Sequence, residues 1–335
     1  MKKLLIVLLL LLIPVFSFAK ESRINPICVS SHINWLDLTT AKKQVLLAKG
    51  AGVKTIRFDL AATQFYSDGA YNFSSMDILV DYINSNGMSV LAIIPQYDFP
   101  AEIVGENWNN VPTTTQYVDY AKKLTQHFKG KINLYEIGNE PDIDLFFYPH
   151  SDVKKYSQML IDSYDIIKSV DSSAKIISAG LTSSDPEIFL KGMYANGVKG
   201  HFDYLGYHPY TWPENPLNAY GFTVMNNLNS IMMSNDDIKG IMATEVGFPS
   251  TTSSGGVSES TQALYITNIF NSTLKGNYSL MKVVCVYDLI DDGKNKNDPE
   301  HNFGLLKSDY SKKKSYNSVK SASDYFSNHF SAKQI

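Results

Sequence analysis

The run Ile132-Asn133-Leu134-Tyr135-Glu136-Ile137-Gly138-Asn139-Glu140-Pro141 has the make-up of a buried strand that ends on an acid. Leu134, Tyr135 and Ile137 supply apolar and aromatic strand character. Side chains alternate along a strand, so Glu136, Gly138 and Glu140 are expected on the face opposite Tyr135 and Ile137. Upstream, Tyr117, Tyr120, Ala121, Leu124 and Phe128 recur at the three-and-four spacing of an amphipathic helix. Downstream, Tyr156, Leu160, Tyr164 and Ile167 do the same, with Asp162, Asp165 and Lys168 on the polar side. A strand between two helices is the unit of a parallel sheet.

The same alternation extends in both directions. Eight β-rich runs stand out: Pro26 to Ile33, Val53 to Ala62, Ser89 to Tyr97, Ile132 to Glu140, Lys175 to Leu181, Phe202 to Tyr210, Gly240 to Phe248 and Val283 to Ile290. Several are continuous apolar stretches, as parallel strands buried on both faces require. Eight βα units imply closure into a barrel rather than an open sheet. A chain of 335 residues suits one such domain with insertions. No internal repeat, linker or low-complexity stretch interrupts it. The expectation is a single-domain α/β fold, a (β/α)₈ TIM barrel over residues 20–335.

Residues 1–19 are read as a targeting segment. Lys2 and Lys3 precede the apolar run Leu4 to Ile13, Pro14 ends it, and Ser17-Phe18-Ala19 offers small residues for cleavage. A secreted or periplasmic protein is expected, without stable membrane insertion after cleavage. The rival is an uncleaved anchor, although the run falls short of the roughly 20 residues a spanning helix needs. Thirty basic residues stand against 33 acidic ones, which gives no basic footprint for nucleic acid. Cys28 and Cys285 fall in the first and last strands, neighbours in a closed barrel. Two buried thiols are expected rather than a bridge, because opposed residues on adjacent strands rarely meet disulfide geometry.

Chemistry concentrates at strand ends. Glu140 closes the fourth run, and Glu245 closes the seventh in Ile241-Met242-Ala243-Thr244-Glu245-Val246. Taken singly, the first could belong to a helix N-cap with Asn139 and Asp142, and the second to an ion pair. Together they are more telling, because strands four and seven lie across an eight-stranded barrel and aim both carboxyls at one pocket. Glycoside hydrolysis needs such a pair, one acid to protonate the leaving oxygen and one carboxylate on the other face of the sugar.

With these residues in place, the sequence resembles the clan of retaining (β/α)₈ glycosidases that includes families 5 and 39. The resemblance spans nearly the whole chain after the leader. It implies that Asn139-Glu140 is the pair ending strand four, with Glu140 the acid/base, and that Glu245 is the nucleophile. It implies that Arg57, in Ile56-Arg57-Phe58-Asp59, supports the nucleophile, and that His208 and Tyr210, in Gly206-Tyr207-His208-Pro209-Tyr210, belong to the site. The stretches Tyr287 to Gly293 and Pro299 to Leu305 are similar to those of single-domain bacterial family 39-like hydrolases, including ones acting on exopolysaccharides. Two departures stand out. Val286 and Tyr287 occupy the place where many clan members carry a tryptophan platform. The chain also has no room for the β-sandwich appended to family 39 xylosidases.

Arg57, Asn139, His208, Tyr210, Tyr287 and Trp212 are therefore expected to bind substrate. Asn139 would bond the sugar 2-OH, and His208 and Tyr210 would position Glu245 or the substrate. A satisfied core histidine is the plain alternative for His208. Trp108, Tyr97, Phe99 and Tyr148 are further loop aromatics that could stack on sugar rings or simply pack. Glu300 and His301 would brace the rim. No cofactor or metal is expected. Asp291, Asp292, Asn295, Asn297 and Asp298 are rich in oxygen, but Lys294 and Lys296 interrupt them and no EF-hand loop results. Neither zinc-ligand spacing, a phosphate loop nor a Gly-x-Ser-x-Gly elbow is present. The expected activity is retaining hydrolysis of a polysaccharide or oligosaccharide, endo-acting by analogy with the clan. The alternatives are an exo-acting glycosidase, an inverting hydrolase and a non-catalytic carbohydrate-binding barrel.

Overall fold

In the computed structural model of the chain, residues 20–105, 111–333 and 335 are described. The expected leader and Trp108 lie outside them. Eight parallel strands close into a barrel: β1 Ile27–Ser30, β2 Thr55–Asp59, β3 Ser89–Ile94, β4 Leu134–Ile137, β5 Lys175–Ser178, β6 Tyr204–Tyr207, β7 Gly240–Val246 and β8 Met281–Val286. Each strand pairs with its chain neighbours, and β8 pairs with β1. A helix follows each one: α1 Leu38–Gly50, α2 Ser74–Ser85, α3 Thr114–Phe128, α4 Val153–Val170, α5 Pro186–Ala195, α6 Met225–Ser234, α7 Glu259–Leu274 and α8 Lys314–His329. The (β/α)₈ barrel expected from the alternation is the fold observed. Among the described residues, no helix is long and apolar enough to cross a membrane.

Local chemistry sets the helix starts. Asp37 accepts from the backbone N–H of Thr39 and Thr40 at α1. Thr113 and Gln116 form a capping box at α3, and Asp152 and Ser258 cap α4 and α7. Each such cap contributes about 1 kcal/mol. The apolar stripes of α3 and α4 bury Tyr117, Tyr120, Leu124, Phe128, Tyr156, Leu160 and Ile167, while Tyr164 stays half-buried. Three of these tyrosines also work as donors. Tyr117 donates to Ile94 O, Tyr120 to Leu60 O at 2.7 Å and Tyr156 to Ile137 O at 3.0 Å. Ring burial thus comes with satisfied carbonyls at the C-terminal strand ends, where the ladder runs out.

The barrel interior is layered. Cys28, Leu91, Leu134, Ile177, Met242, Val283 and Cys285 fill the lower part, with Ile24 and Ile335 packed beneath. Glu21–Ile24 pairs with Phe330–Lys333 at that end. Two residues further along their strands come Ser30, Glu136 and Thr244, all buried, so the interior turns polar one layer below the mouth. Cys28 and Cys285 are joined by a disulfide, which corrects the expectation of two thiols. They are register partners on β1 and β8, both turn inward, and their Cα atoms lie 4.1 Å apart.

One reading of β4 also needs correction. The strand ends at Ile137, and Gly138 and Glu140 take φ angles of +86° and +44°. Alternation accounts for Glu136 inside the barrel, but Glu140 reaches the mouth through a left-handed turn. Nor do Asn139, Glu140 and Asp142 start a helix. Helix α4 begins at Val153, and Asp142 instead accepts from Thr182 N and Oγ1 at 2.9 and 2.7 Å. In the loop after β8, Lys313 Nζ donates to Asp291 Oδ1 at 2.5 Å, Ser250 Oγ at 2.8 Å and Asn302 O at 2.9 Å. Asp291, the most buried carboxylate among Asp291, Asp292 and Asp298, therefore has an ammonium as its partner.

Candidate active site

Arg57 organises the floor of the barrel mouth. Its side chain is 2% exposed. Nε donates to Glu136 Oε2 at 2.6 Å and Nη2 to Glu136 Oε1 at 3.2 Å, a two-point grip. Nη1 donates to Glu245 Oε1 at 2.6 Å, and Nη2 also reaches Asn139 Oδ1 at 2.9 Å. Burial opposes the guanidinium charge, but Glu136 and Glu245 outweigh it and hold the group protonated. Glu136 is fully buried and takes a further bond from Gly180 N at 3.0 Å. Arg57 thus supports other side chains with donors that are already committed.

Glu245 stands near the end of β7. Tyr210 OH donates to its Oε2 at 2.8 Å, and His208 Nδ1 lies 3.8 Å from the same oxygen. Burial pushes its carboxyl up. The charges of His208 and Arg57, with the bonds from Tyr210 and Arg57, more than reverse this and leave it below the ordinary carboxylate range. Glu140 faces it from the turn after β4, and His208 Nδ1 lies 2.7 Å from Glu140 Oε1. One carboxylate oxygen of each glutamate and a ring nitrogen of His208 fall within 4.8 Å of one another. The ring's Nε2 lies 3.1 Å from Thr244 Oγ1. Burial disfavours the imidazolium, but Glu245 and Glu140 outweigh it and raise the His208 pKa. Gly180 leaves room for this ring, since a Cβ there would sit 2.0 Å from His208 Nε2.

A cavity of about 670 Å³ opens above these groups. Of the expected binding residues, Arg57, Asn139, Tyr210, Trp212 and Tyr287 line it. His208 does not. It is fully buried beneath the two glutamates, so it positions them rather than touching a ligand. Tyr287 provides the wall where a tryptophan was missing, and its ring meets Phe303 edge-on at 5.3 Å. Trp212 also meets Phe303 edge-on, at 6.2 Å. The remaining aromatics divide. Tyr97 lines the cavity, Phe99 is 3% exposed and packs on Tyr117 and Tyr120, and Tyr148 is exposed outside the lining. Glu300 is at the rim as expected, while His301 approaches Asp298 at 3.7 Å instead.

Several residues escaped the sequence reading. Gln96 Oε1 accepts from Asn139 N at 2.8 Å, and its Nε2 donates to Asn139 O at 2.7 Å, so one buried amide clasps the backbone beside Glu140. A polar residue closing the apolar run Ser89 to Ile94 was the available signal. Asp59 and His32 also line the cavity. Burial raises the Asp59 carboxyl to about 6, against the opposing charges of Arg57 and His32. Their signal was position alone, at the ends of β2 and β1.

With this geometry in hand, the comparisons are informative. A family 39 glycoside hydrolase from the gut symbiont Bacteroides cellulosilyticus superposes with a TM-score of 0.75 at 23% identity, over 91% of this chain. The barrel is one shared with glycoside hydrolases. This chain spans 64% of that protein, less than two thirds of its length. A monomeric beta-xylosidase from Caulobacter crescentus gives a TM-score of 0.66 at 15% identity, covering 90% of this chain and 68% of the other. Xylanase 10B from Thermotoga maritima gives 0.65 at 17%, covering 90% and 95%. No family model matches the sequence.

Proposed function

We propose that the protein is a glycoside hydrolase that cleaves O-glycosidic bonds of a polysaccharide or oligosaccharide with retention of configuration, outside the cytoplasm after loss of residues 1–19. The observation that carries this reading is the carboxylate pair. Glu140 and Glu245 approach to within 4.8 Å through one oxygen each, beneath an aromatic-walled cavity. Retaining enzymes hold their carboxyls about 5–5.5 Å apart, and inverting ones about 6.5–9.5 Å to admit a water. The close approach favours retention.

Two steps follow. Glu245, kept ionised by Arg57 and Tyr210, attacks the anomeric carbon. Glu140, positioned by the 2.7 Å contact to His208, gives its proton to the departing oxygen. The sugar is left as an ester on Glu245. Glu140 then takes a proton from water, which attacks the anomeric carbon and frees Glu245. Asn139, with Oδ1 held by Arg57, turns its amide toward the cavity for the sugar 2-OH. Tyr287 and Trp212 offer ring faces and edges for sugar packing. An ester-forming mechanism asks nothing of a metal.

The test is turnover by the purified protein on a panel of polysaccharides and aryl glycosides, with product sizing and NMR of the first-formed anomer. Retained configuration supports the proposal. Binding without turnover across the panel would instead favour a carbohydrate-binding barrel.

A further inference from the structure

The ends of β1 and β8 gather a second set of ligating side chains beside the cavity. His32 Nδ1 lies 3.1 Å from Asp292 Oδ1. A carboxylate oxygen of Asp288 completes a group whose three ligand atoms all lie within 4.8 Å of one another. Asp288 is the decisive member. It is 2% exposed, and its Oδ1 has no hydrogen-bond partner among the described residues. A carboxylate withdrawn from water without a donor is unfavourable, and buried charges are normally paired or bound to metal. The nearby ammonium of Lys313 is already committed to Asp291, Ser250 and Asn302.

We propose that His32, Asp288 and Asp292 form a site for one divalent transition-metal ion of the zinc or manganese kind. One imidazole and two carboxylates, completed by water, match the donors such ions take. Calcium fits less well, because it seeks about six to eight oxygens and this set offers a nitrogen. A neutral imidazole with two carboxylates carries the charge that a divalent ion balances. The ion ties β1 to β8 above the Cys28–Cys285 bond. It also fixes the His32 ring, which meets the Tyr287 cavity wall edge-on at 6.0 Å. Its role is structural, and the glycosyl transfer does not pass through it. The ligands come from opposite ends of the chain, so no local spacing motif reveals them.

The test uses the whole protein, stripped with a chelator and titrated with zinc chloride or manganese chloride by calorimetry, with thermal melts alongside. One equivalent should bind and raise Tm. Asp292→Asn and His32→Gln should each weaken binding by roughly 100-fold or more, as loss of a direct ligand exceeds the 10–100-fold typical of outer-shell partners. Both side chains are partly exposed, so these variants carry the test even if Asp288→Asn fails to fold. Glu140, His208 and Glu245 also place ligand atoms within 4.8 Å, so Glu245→Gln serves as the control and should leave uptake unchanged. Absence of stoichiometric uptake, uptake that survives Asp292→Asn and His32→Gln, or uptake lost in Glu245→Gln would overturn the proposal.

Discussion

Arg57 Nη1 stands 2.6 Å from Glu245 Oε1 while the same guanidinium grips Glu136. One buried cation therefore serves two carboxylates, the fully buried Glu136 and the partly buried Glu245 that faces the cavity. Removing it leaves both uncompensated. Arg57→Ala should cost about 3–5 kcal/mol of stability, the usual penalty for breaking a buried pair from one side, and should abolish turnover. Denaturant melts at neutral pH check this. A variant as stable as the parent would show that the guanidinium is not what neutralises Glu136 and Glu245.

The hydroxyl of Tyr210 stabilises the ionised form of Glu245. Activity should therefore persist below the ordinary carboxylate range on the acid side. Tyr210→Phe removes one hydrogen bond to a charge, about 1.5–3 kcal/mol, and one pH unit corresponds to about 1.4 kcal/mol. The acid limb of kcat/KM should move up by roughly one unit or more. An unmoved limb would dissociate Tyr210 from the ionisation of Glu245.

Gly180 leaves the space in which His208 reaches both glutamates. Gly180→Ala should push the ring aside, and a displacement of about 1 Å can cost on the order of 100-fold in rate. The expected result is a large fall in kcat with a smaller change in KM. Equal activity in the alanine variant would mean that His208 has no positioning role.

Asp59 illustrates a stability effect of opposite sign. Its carboxyl sits at about 6 against an ordinary 3.8, chiefly through burial. The folded chain holds this proton more tightly than the unfolded chain, so stability falls as pH rises through that interval. In chelator-stripped protein, Asp59→Asn should raise Tm at neutral pH and change it little near pH 3. Melts at the two pH values distinguish this from a pH-independent packing effect.

The barrel was legible because buried parallel strands are continuous apolar runs; seven of the eight runs contain one strand each, and the eighth, Val283 to Ile290, overlaps Met281–Val286, which starts two residues earlier. Glu140 and Glu245 were found as acids ending strands, Arg57, Asn139, Tyr210 and Tyr287 through the family resemblance, and the structure brings all six to one cavity. What escaped depends on register between distant segments. Nothing local shows that Cys28 and Cys285 face one another, that Gly180 packs on His208, or that Gln96 clasps Asn139. Tyr97 and Phe99 are two residues apart in one loop, yet one lines the cavity and the other joins the core. Aromatic composition does not encode that choice.

The most direct measurement of the central claim is product analysis by NMR for Glu245→Gly and Glu140→Ala with added azide. Glu245→Gly should hydrolyse nothing, and azide in the vacated space should yield a glycosyl azide of inverted configuration from an activated aryl glycoside. Glu140→Ala should still form the intermediate from that activated substrate, fail on natural leaving groups, and release a glycosyl azide of retained configuration. Swapped stereochemistry, or equal loss in both variants without azide rescue, would contradict the roles assigned to the two glutamates.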